Sequence, residues 1–168
     1  MPPANIILTG FMGTGKSTIG RALAERLDLT FVDTDQLIEE RAGCTIAEIF
    51  AQQGERAFRQ MEADLAQELA QQQGLVIATG GGFFTNPENI KALQTEGRII
   101  CLTAGAEEIL KRVKQQGQVR PLLQHSNPLQ QINDLLHQRK KVYQQFPQVV
   151  TDQQSSDQIV DTILDLLN

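Results

Sequence analysis

Short apolar runs alternate along the chain with stretches in which apolar residues recur at helical spacing. The runs are rich in β-branched residues and are predicted strands: NIILT (5–9), FVD (31–33), LVIA (75–78), RIICL (98–102) and QVV (148–150). Helical spacing follows the first strand and recurs at about 54–72, 87–95, 105–115 and 128–145, and at the C-terminal end. This alternation predicts an α/β fold, in which a parallel sheet carries helices on both faces.

The first and last predicted helices have clear sequence signals. Ile19, Leu23 and Leu27 recur at helical spacing, so we expect them to form the buried face of the first helix. Before the last helix, Ser155 or Ser156 can act as the N-cap.

Length and charge restrict the class of protein. The 168 residues suit one domain with a single core, and the net charge of −5 argues against nucleic-acid binding. No run approaches the ~20 apolar residues of a membrane helix, so we expect no membrane partner. Only MPPA precedes the first strand, which leaves no room for a targeting peptide. We therefore expect a cytoplasmic protein in which Cys44 and Cys101 are reduced structural thiols.

The stretch GFMGTGKST carries the pattern G-x-x-x-x-G-K-S, placed after a strand and at the start of a helix. In that context backbone N–H groups surround phosphates, Lys16 reaches the β and γ oxygens, and the Ser17 hydroxyl meets Mg²⁺. The sequence thus predicts a nucleotide site. We expect ATP to contact Gly13, Thr14, Gly15, Lys16, Ser17 and Thr18.

Acidic residues follow the second strand in FVDTDQLI, whereas LVIATGGG has no acid after its strand. Ligands of open α/β sheets bind at the carboxyl edge, so Asp33 can lie near the metal. Asp35 has two interpretations that its local sequence does not separate: a functional carboxylate or a helix N-cap.

Two further segments are rich in glycine or proline. VIATGGGFF has three glycines directly after a predicted strand, although a sheet disfavours glycine. In QQGQVRPLLQHSNP (115–128), Gly117, Pro121 and Pro128 interrupt the helical pattern, which makes this segment a candidate mobile loop.

Taken together, these motifs resemble the shikimate kinases. GFMGTGKST, FVDTD, TIAEIFAQQGERAFRQME, ATGGG, VRPLL and RKKVY occur in that family's order and approximate spacing, from the first strand to about Tyr143. The resemblance implies a nucleoside monophosphate kinase type of fold: a three-layer sandwich with a five-stranded parallel sheet in the order 2-3-1-4-5. It implies one P-loop kinase domain over 1–168, shikimate-binding helices at about 35–62, a lid loop at about 115–127, and a monomer.

The implied reaction transfers the γ-phosphoryl of ATP to the 3-hydroxyl of shikimate, a step toward chorismate and the aromatic amino acids. Asp35 matches the residue that orients this hydroxyl, and Arg59 and Arg139 match the pair that grips the carboxylate. The residues that match the glycines lining the ring are Gly80, Gly81 and Gly82.

On the ATP side, the resemblance implies Mg²⁺ as cofactor. Asp33 matches the acid that organises the metal through water, together with Ser17. Arg120 matches a lid arginine that reaches the phosphates and assists catalysis, and Arg112 matches an adenine-stacking residue.

Several positions leave alternatives open. Glu55 and Glu62 can hold Arg59 on a helix, or all three can form a solvated ion-paired face. Phe83 stands where the family has a small or aliphatic residue; we expect a core side chain, although it could reshape the acceptor pocket. The adenine loop is expected near 151–157, without the family's proline.

Three rival functions remain. Another small-molecule kinase, for gluconate or a nucleoside monophosphate, would lack the joint occurrence of Asp35, Arg59, the glycine triplet and Arg139. A non-catalytic relative would have lost Lys16 or an acid. A nucleic-acid-dependent ATPase is disfavoured by the acidic balance.

Overall fold

The five strands form one parallel sheet. A computed structural model of the protein describes residues 3–116 and 126–168. The strands are β1 (Asn5–Gly10), β2 (Thr30–Asp33), β3 (Leu75–Ala78), β4 (Gly97–Thr103) and β5 (Gln148–Val150). They lie in the order β2-β3-β1-β4-β5, and every neighbouring pair is parallel. The predicted order is confirmed.

Among the described residues, six helices lie where the apolar spacing predicts them, and the four that were predicted with both bounds agree with the observed bounds to within three residues. The two short helices between the second and third strands were not predicted from spacing, and only the family resemblance implied helices in that range. The helices are α1 (Lys16–Leu27), α2 (Thr34–Ala42), α3 (Ile46–Gln53), α4 (Glu55–Leu69), α5 (Pro87–Gln94), α6 (Ala106–Gln115), α7 (Pro128–Tyr143) and α8 (Ser156–Leu167).

Helices cover both faces of the sheet because the central strands are buried on both sides. In β1, Ile7 packs into one cluster with α4, α5, α6 and α7, while Ile6 and Leu8 pack into a second cluster with α1 and α8. This alternation follows from the two-residue period of a strand. It produces the three-layer arrangement expected from the sequence.

Two sequence signals at helix ends had different outcomes. Ser155 is the N-cap of α8 and accepts a hydrogen bond from Gln158 N, as predicted. The expected burial of Leu27 is wrong, because this side chain is 37% exposed in the last turn of α1.

Within residues 3–116 and 126–168, no helix combines the length and apolar character of a membrane span.

The segment between β2 and β3 carries α2, α3 and α4. Thr45 caps α3, and Glu48 completes a reciprocal capping box. The range 35–62 therefore holds α2, α3 and the first half of α4, and this arrangement brings α4 beside the carboxyl edge of the sheet.

Candidate active site

The P-loop lies at the carboxyl end of β1. Its backbone turns into α1 at Lys16, with Gly15 as N-cap at φ 98°. Lys16 Nζ donates to Gly10 O at 2.7 Å and to Phe11 O at 2.9 Å, so the ammonium lies over the loop. Gly10 has φ +139° and a Cβ there would overlap Leu102 O, so only glycine fits this position.

Ser17 and Asp33 meet beside the P-loop. Ser17 Oγ donates to Asp33 Oδ2 at 2.7 Å, while Asp33 Oδ1 accepts from Gln36 N at 3.1 Å and caps α2. The pair offers hard oxygen atoms, the ligand type that Mg²⁺ prefers. The donor set therefore fits the implied metal.

Asp35 is not the N-cap of α2. The cap is Asp33, and Asp35 lies in the first turn of the helix. Its carboxylate lies over Gly80, where an added Cβ would overlap Oδ1. The alternative interpretation of Asp35 as a plain helix cap is therefore wrong.

The three glycines after β3 each face a different charged side chain. Gly80 faces Asp35, whereas a Cβ on Gly81 would lie 3.0 Å from Arg139 Nη1 and one on Gly82 would lie 2.7 Å from both terminal nitrogens of Arg59. None of the three has a positive φ. The absence of a side chain leaves space for the three residues that the sequence singled out, because a Cβ at any of these glycines would push against one of them.

Arg59 lies between two carboxylates of α4. Its Nη1 donates to Glu62 Oε1 at 2.6 Å and its Nη2 to Glu55 Oε1 at 3.4 Å. The Glu62 side chain is 2% exposed, whereas that of Glu55 is 71% exposed. The solvated-face interpretation therefore holds for Glu55 and is wrong for Glu62, which anchors Arg59 from inside the protein.

The environment of Glu62 changes its protonation. Burial raises the pKa of Glu62 to about 7, although the hydrogen bond and charge of Arg59 act in the opposite direction. Its second oxygen, Oε2, has no hydrogen-bond partner among the described residues. A buried carboxylate in this state is costly, which is why protonation is favoured.

Arg139, on α7, also lies over this glycine triplet, which we call the floor (Gly80, Gly81 and Gly82). Its guanidinium lies 5.4 Å from the ring centroid of Phe11, a P-loop residue that is 1% exposed. Four residues later, Tyr143 Oη donates to Gly81 O at 3.0 Å. Burial raises the pKa of Tyr143 to about 12, so its hydroxyl keeps its proton near neutral pH.

A cavity of about 290 Å³ lies against the P-loop and contains Arg112. Arg112 Nη1 donates to Gly13 O and to Thr151 Oγ1, and Nη2 donates to Thr151 O, at 2.9–3.1 Å. These bonds use the edges of the guanidinium. The 151–157 segment contributes Thr151, Gln154 and Ser156 to the same lining.

The sequence also singled out Phe83 and Arg120. Phe83 is completely buried and its ring packs against Phe84 at 5.7 Å, so the expected core role is confirmed. Arg120 and most of the 115–127 segment lie outside the described residues.

Sequence reasoning missed the roles of Thr34, Tyr143 and Phe11 at this site. Thr34 Oγ1 accepts a hydrogen bond from Gly80 N at 3.0 Å. Its only local signal is its place between two acids in DTD, while the contact itself depends on the pairing of β2 with β3.

Comparison with known proteins identifies the family. The shikimate kinase family model matches residues 12–168. The shikimate kinase of Pelotomaculum thermopropionicum is 46% identical over 164 residues, which cover 97% of this chain and 95% of that protein. The chain belongs to the shikimate kinase family.

Further comparisons agree with this membership. The shikimate kinase of Thermus thermophilus is 44% identical over 167 residues, covering 99% of this chain and 91% of that protein. The structure of shikimate kinase from Acinetobacter baumannii in complex with shikimate has a TM-score of 0.90 and 39% identity, covering 99% of this chain and 93% of that one. As a shikimate kinase, the protein is an ATP-dependent phosphotransferase that acts on an alcohol group and serves the route to chorismate.

Proposed function

We propose that the protein phosphorylates the 3-hydroxyl of shikimate over a floor made by Gly80, Gly81 and Gly82. Arg59 and Arg139 bind the carboxylate of shikimate, and Asp35 accepts a hydrogen bond from the 3-hydroxyl. The single observation that supports this arrangement is the pairing of each floor glycine with one of these three side chains.

The acceptor end of the cleft suits a small hydroxylated acid. Two guanidinium groups provide planar donors that match a carboxylate, and Glu62 fixes the position of the first. A neutral sugar or an adenine ring has no carboxylate to accept hydrogen bonds from these two guanidinium groups. Gluconate also carries a carboxylate, so the two arginines do not by themselves distinguish it from shikimate. The two acids differ in shape, and an acceptor comparison tests which of them the cleft prefers.

The ATP end of the cleft is the P-loop. Backbone N–H groups from Gly13 to Thr18 bind the phosphates, and the ammonium of Lys16 moves from its own loop carbonyls to the β and γ oxygens. Arg112, held by its edges, presents a face on which adenine can stack. Arg120, proposed from the family resemblance, adds charge near the γ-phosphoryl.

Mg²⁺ is the proposed cofactor. Ser17 Oγ, and Asp33 through water, would hold it beside the phosphates. When bound, it supplies charge neutralisation during phosphoryl transfer. Asp35 orients the attacking hydroxyl and can take its proton, so positioning and electrostatics carry the reaction.

The other two rival functions, a non-catalytic relative and a nucleic-acid-dependent ATPase, are not favoured. Loss of Lys16, Asp33 or Asp35 would mark a non-catalytic relative, and all three are present.

We propose that the protein acts as a monomer in the cytoplasm, where ATP is available, with ATP and shikimate as its small-molecule partners.

The direct test is a coupled ADP-release assay with Mg²⁺ and ATP, in which shikimate, quinate, gluconate and nucleoside monophosphates are compared as acceptors. We expect the highest kcat/KM for shikimate. A higher value for any other acceptor refutes the proposal. Arg59→Lys should raise the KM for shikimate, while Arg56→Lys, an exposed position on the same helix, serves as the matched control.

A further inference from the structure

Two side chains hold the backbone of the same dipeptide in the acceptor floor. Gly80 N donates to Thr34 Oγ1 at 3.0 Å, and Gly81 O accepts from Tyr143 Oη at 3.0 Å. The first side chain comes from α2 and the second from α7. The floor is therefore attached to two of the three helices that supply its neighbouring charged residues, α2 and α7.

Thr34 continues the pairing of β2 with β3 beyond the last strand residues. The register of the two strands ends at Asp33 and Ala78, after which Thr79 N bonds to Leu8 O of β1. Gly80 is buried, so its N–H requires a partner, and the fully buried Thr34 hydroxyl supplies it. Because Asp35 is the next residue, this bond also fixes its carboxylate over Gly80.

Tyr143 has the corresponding position at the end of α7. Arg139 precedes it by four residues, so both side chains leave the same face of the helix. The bond from Tyr143 to Gly81 O sets how far this face lies from the floor. Arg139 Nη1 lies over Gly81, and a Cβ added there would lie 3.0 Å from it and press on the guanidinium.

We propose that Thr34 and Tyr143 are positioning residues, which lock the glycine floor to α2 and α7 and thereby fix Asp35 and Arg139 relative to the acceptor. The inference rests on the proposed function of these two charged residues. It assigns Thr34 to the placement of the reacting hydroxyl and Tyr143 to the placement of the carboxylate. The two variants should therefore differ in their kinetics.

The experiment uses Thr34→Val and Tyr143→Phe, which keep side-chain shape and remove one hydroxyl each. For Tyr143→Phe we expect the KM for shikimate to rise about five- to tenfold with kcat nearly unchanged. For Thr34→Val we expect kcat to fall about tenfold or more, because a small displacement of Asp35 misaligns the reacting hydroxyl. The KM for ATP should change by less than about twofold in both.

Two controls separate positioning from general stability. Thr34→Ser keeps the hydroxyl and should restore most of the lost kcat. Thr79→Val removes a buried hydroxyl that bonds Leu8 O instead of the floor, so its kinetics should match those of the wild type. Rate losses in Thr34→Ser or Thr79→Val as large as those of Thr34→Val would overturn the proposal.

A second readout does not depend on the reaction. In the ligand-free protein, hydrogen exchange at Gly80 N–H should accelerate about tenfold in Thr34→Val relative to Thr34→Ser. Unchanged exchange overturns the Thr34 contact itself. An inactive wild type with the predicted exchange would instead refute the proposed function, whereas an active wild type with unaltered Thr34→Val and Tyr143→Phe kinetics would refute only this inference.

Discussion

Arg59 Nη1 lies 2.6 Å from Oε1 of Glu62, a carboxyl group that is almost completely excluded from water. This pair places the charge of the guanidinium at the acceptor cleft and a titratable carboxyl group inside the protein. The arrangement orients the guanidinium, but it leaves Glu62 Oε2 without a hydrogen-bond partner among the described residues.

The first prediction concerns the pH dependence of stability. The pKa of Glu62 is raised from 4.5 to about 7 in the folded protein, mainly by burial. Between these values the folded state binds a proton that the unfolded state has released, so the free energy of unfolding should fall as pH rises through this window. The loss is on the order of 3 kcal/mol for this group.

Urea unfolding at several pH values between 4.5 and 7 measures this effect. Glu62→Gln should remove most of this fall in stability, because glutamine does not ionise. Glu55→Gln, at an exposed neighbour of the same arginine, should leave the slope unchanged. Equal slopes in the wild type and Glu62→Gln would exclude a raised pKa at this site.

The second prediction concerns the space above the floor. Gly82 has φ −100° and ψ 5°, which alanine adopts without strain, but its Cβ would lie 2.7 Å from Arg59 Nη1 and Nη2. Gly82→Ala should displace the guanidinium and raise the KM for shikimate by about tenfold or more, with the KM for ATP little changed. Steady-state kinetics with each substrate varied in turn would check this split; an unchanged shikimate KM contradicts it.

The third prediction separates Asp35 from ATP binding. Asp35→Asn keeps the size of the side chain but removes the base, so kcat should fall by about 100-fold or more. ATP affinity, measured by calorimetry without acceptor, should change less than about twofold because the P-loop is untouched. Near-normal kcat would leave Asp35 without a catalytic role.

The fourth prediction concerns the metal. Asp33→Asn retains an oxygen that can accept from Gln36 N, so α2 should keep its cap and the melting temperature should change little. The variant loses one negative charge beside Ser17, so the Mg²⁺ concentration for half-maximal rate should rise severalfold. A Mg²⁺ titration at fixed ATP tests this, and a superimposable curve would remove Asp33 from the metal site.

Much of the fold could be predicted from the sequence because its signals are local. The two-residue alternation of Ile6, Ile7 and Leu8 specifies a strand buried on both faces. Glycines at the P-loop and the serine before α8 specify where helices begin. The exposure of Leu27 could not be predicted in this way, because the spacing that marks the buried Ile19 and Leu23 continues to this last residue of α1.

The site itself was only partly predictable. Family resemblance named Asp35, Arg59, Arg139 and the glycine triplet, but the one-to-one facing of glycines and side chains depends on packing between distant elements. Likewise, the bonds of Thr34 to Gly80 and of Tyr143 to Gly81 join residues 46 and 62 positions apart. No periodicity or local motif encodes such contacts.

The most direct test of the account compares shikimate with its methyl ester, which lacks the carboxylate charge, in the wild type and in an Arg59→Gln/Arg139→Gln variant. The wild type should favour the free acid by about 100-fold or more in kcat/KM, because two charge-assisted hydrogen-bond donors lose their anion in the ester. In the double variant this preference should shrink to about threefold or less. A full preference for the acid that survives loss of both arginines would contradict the account.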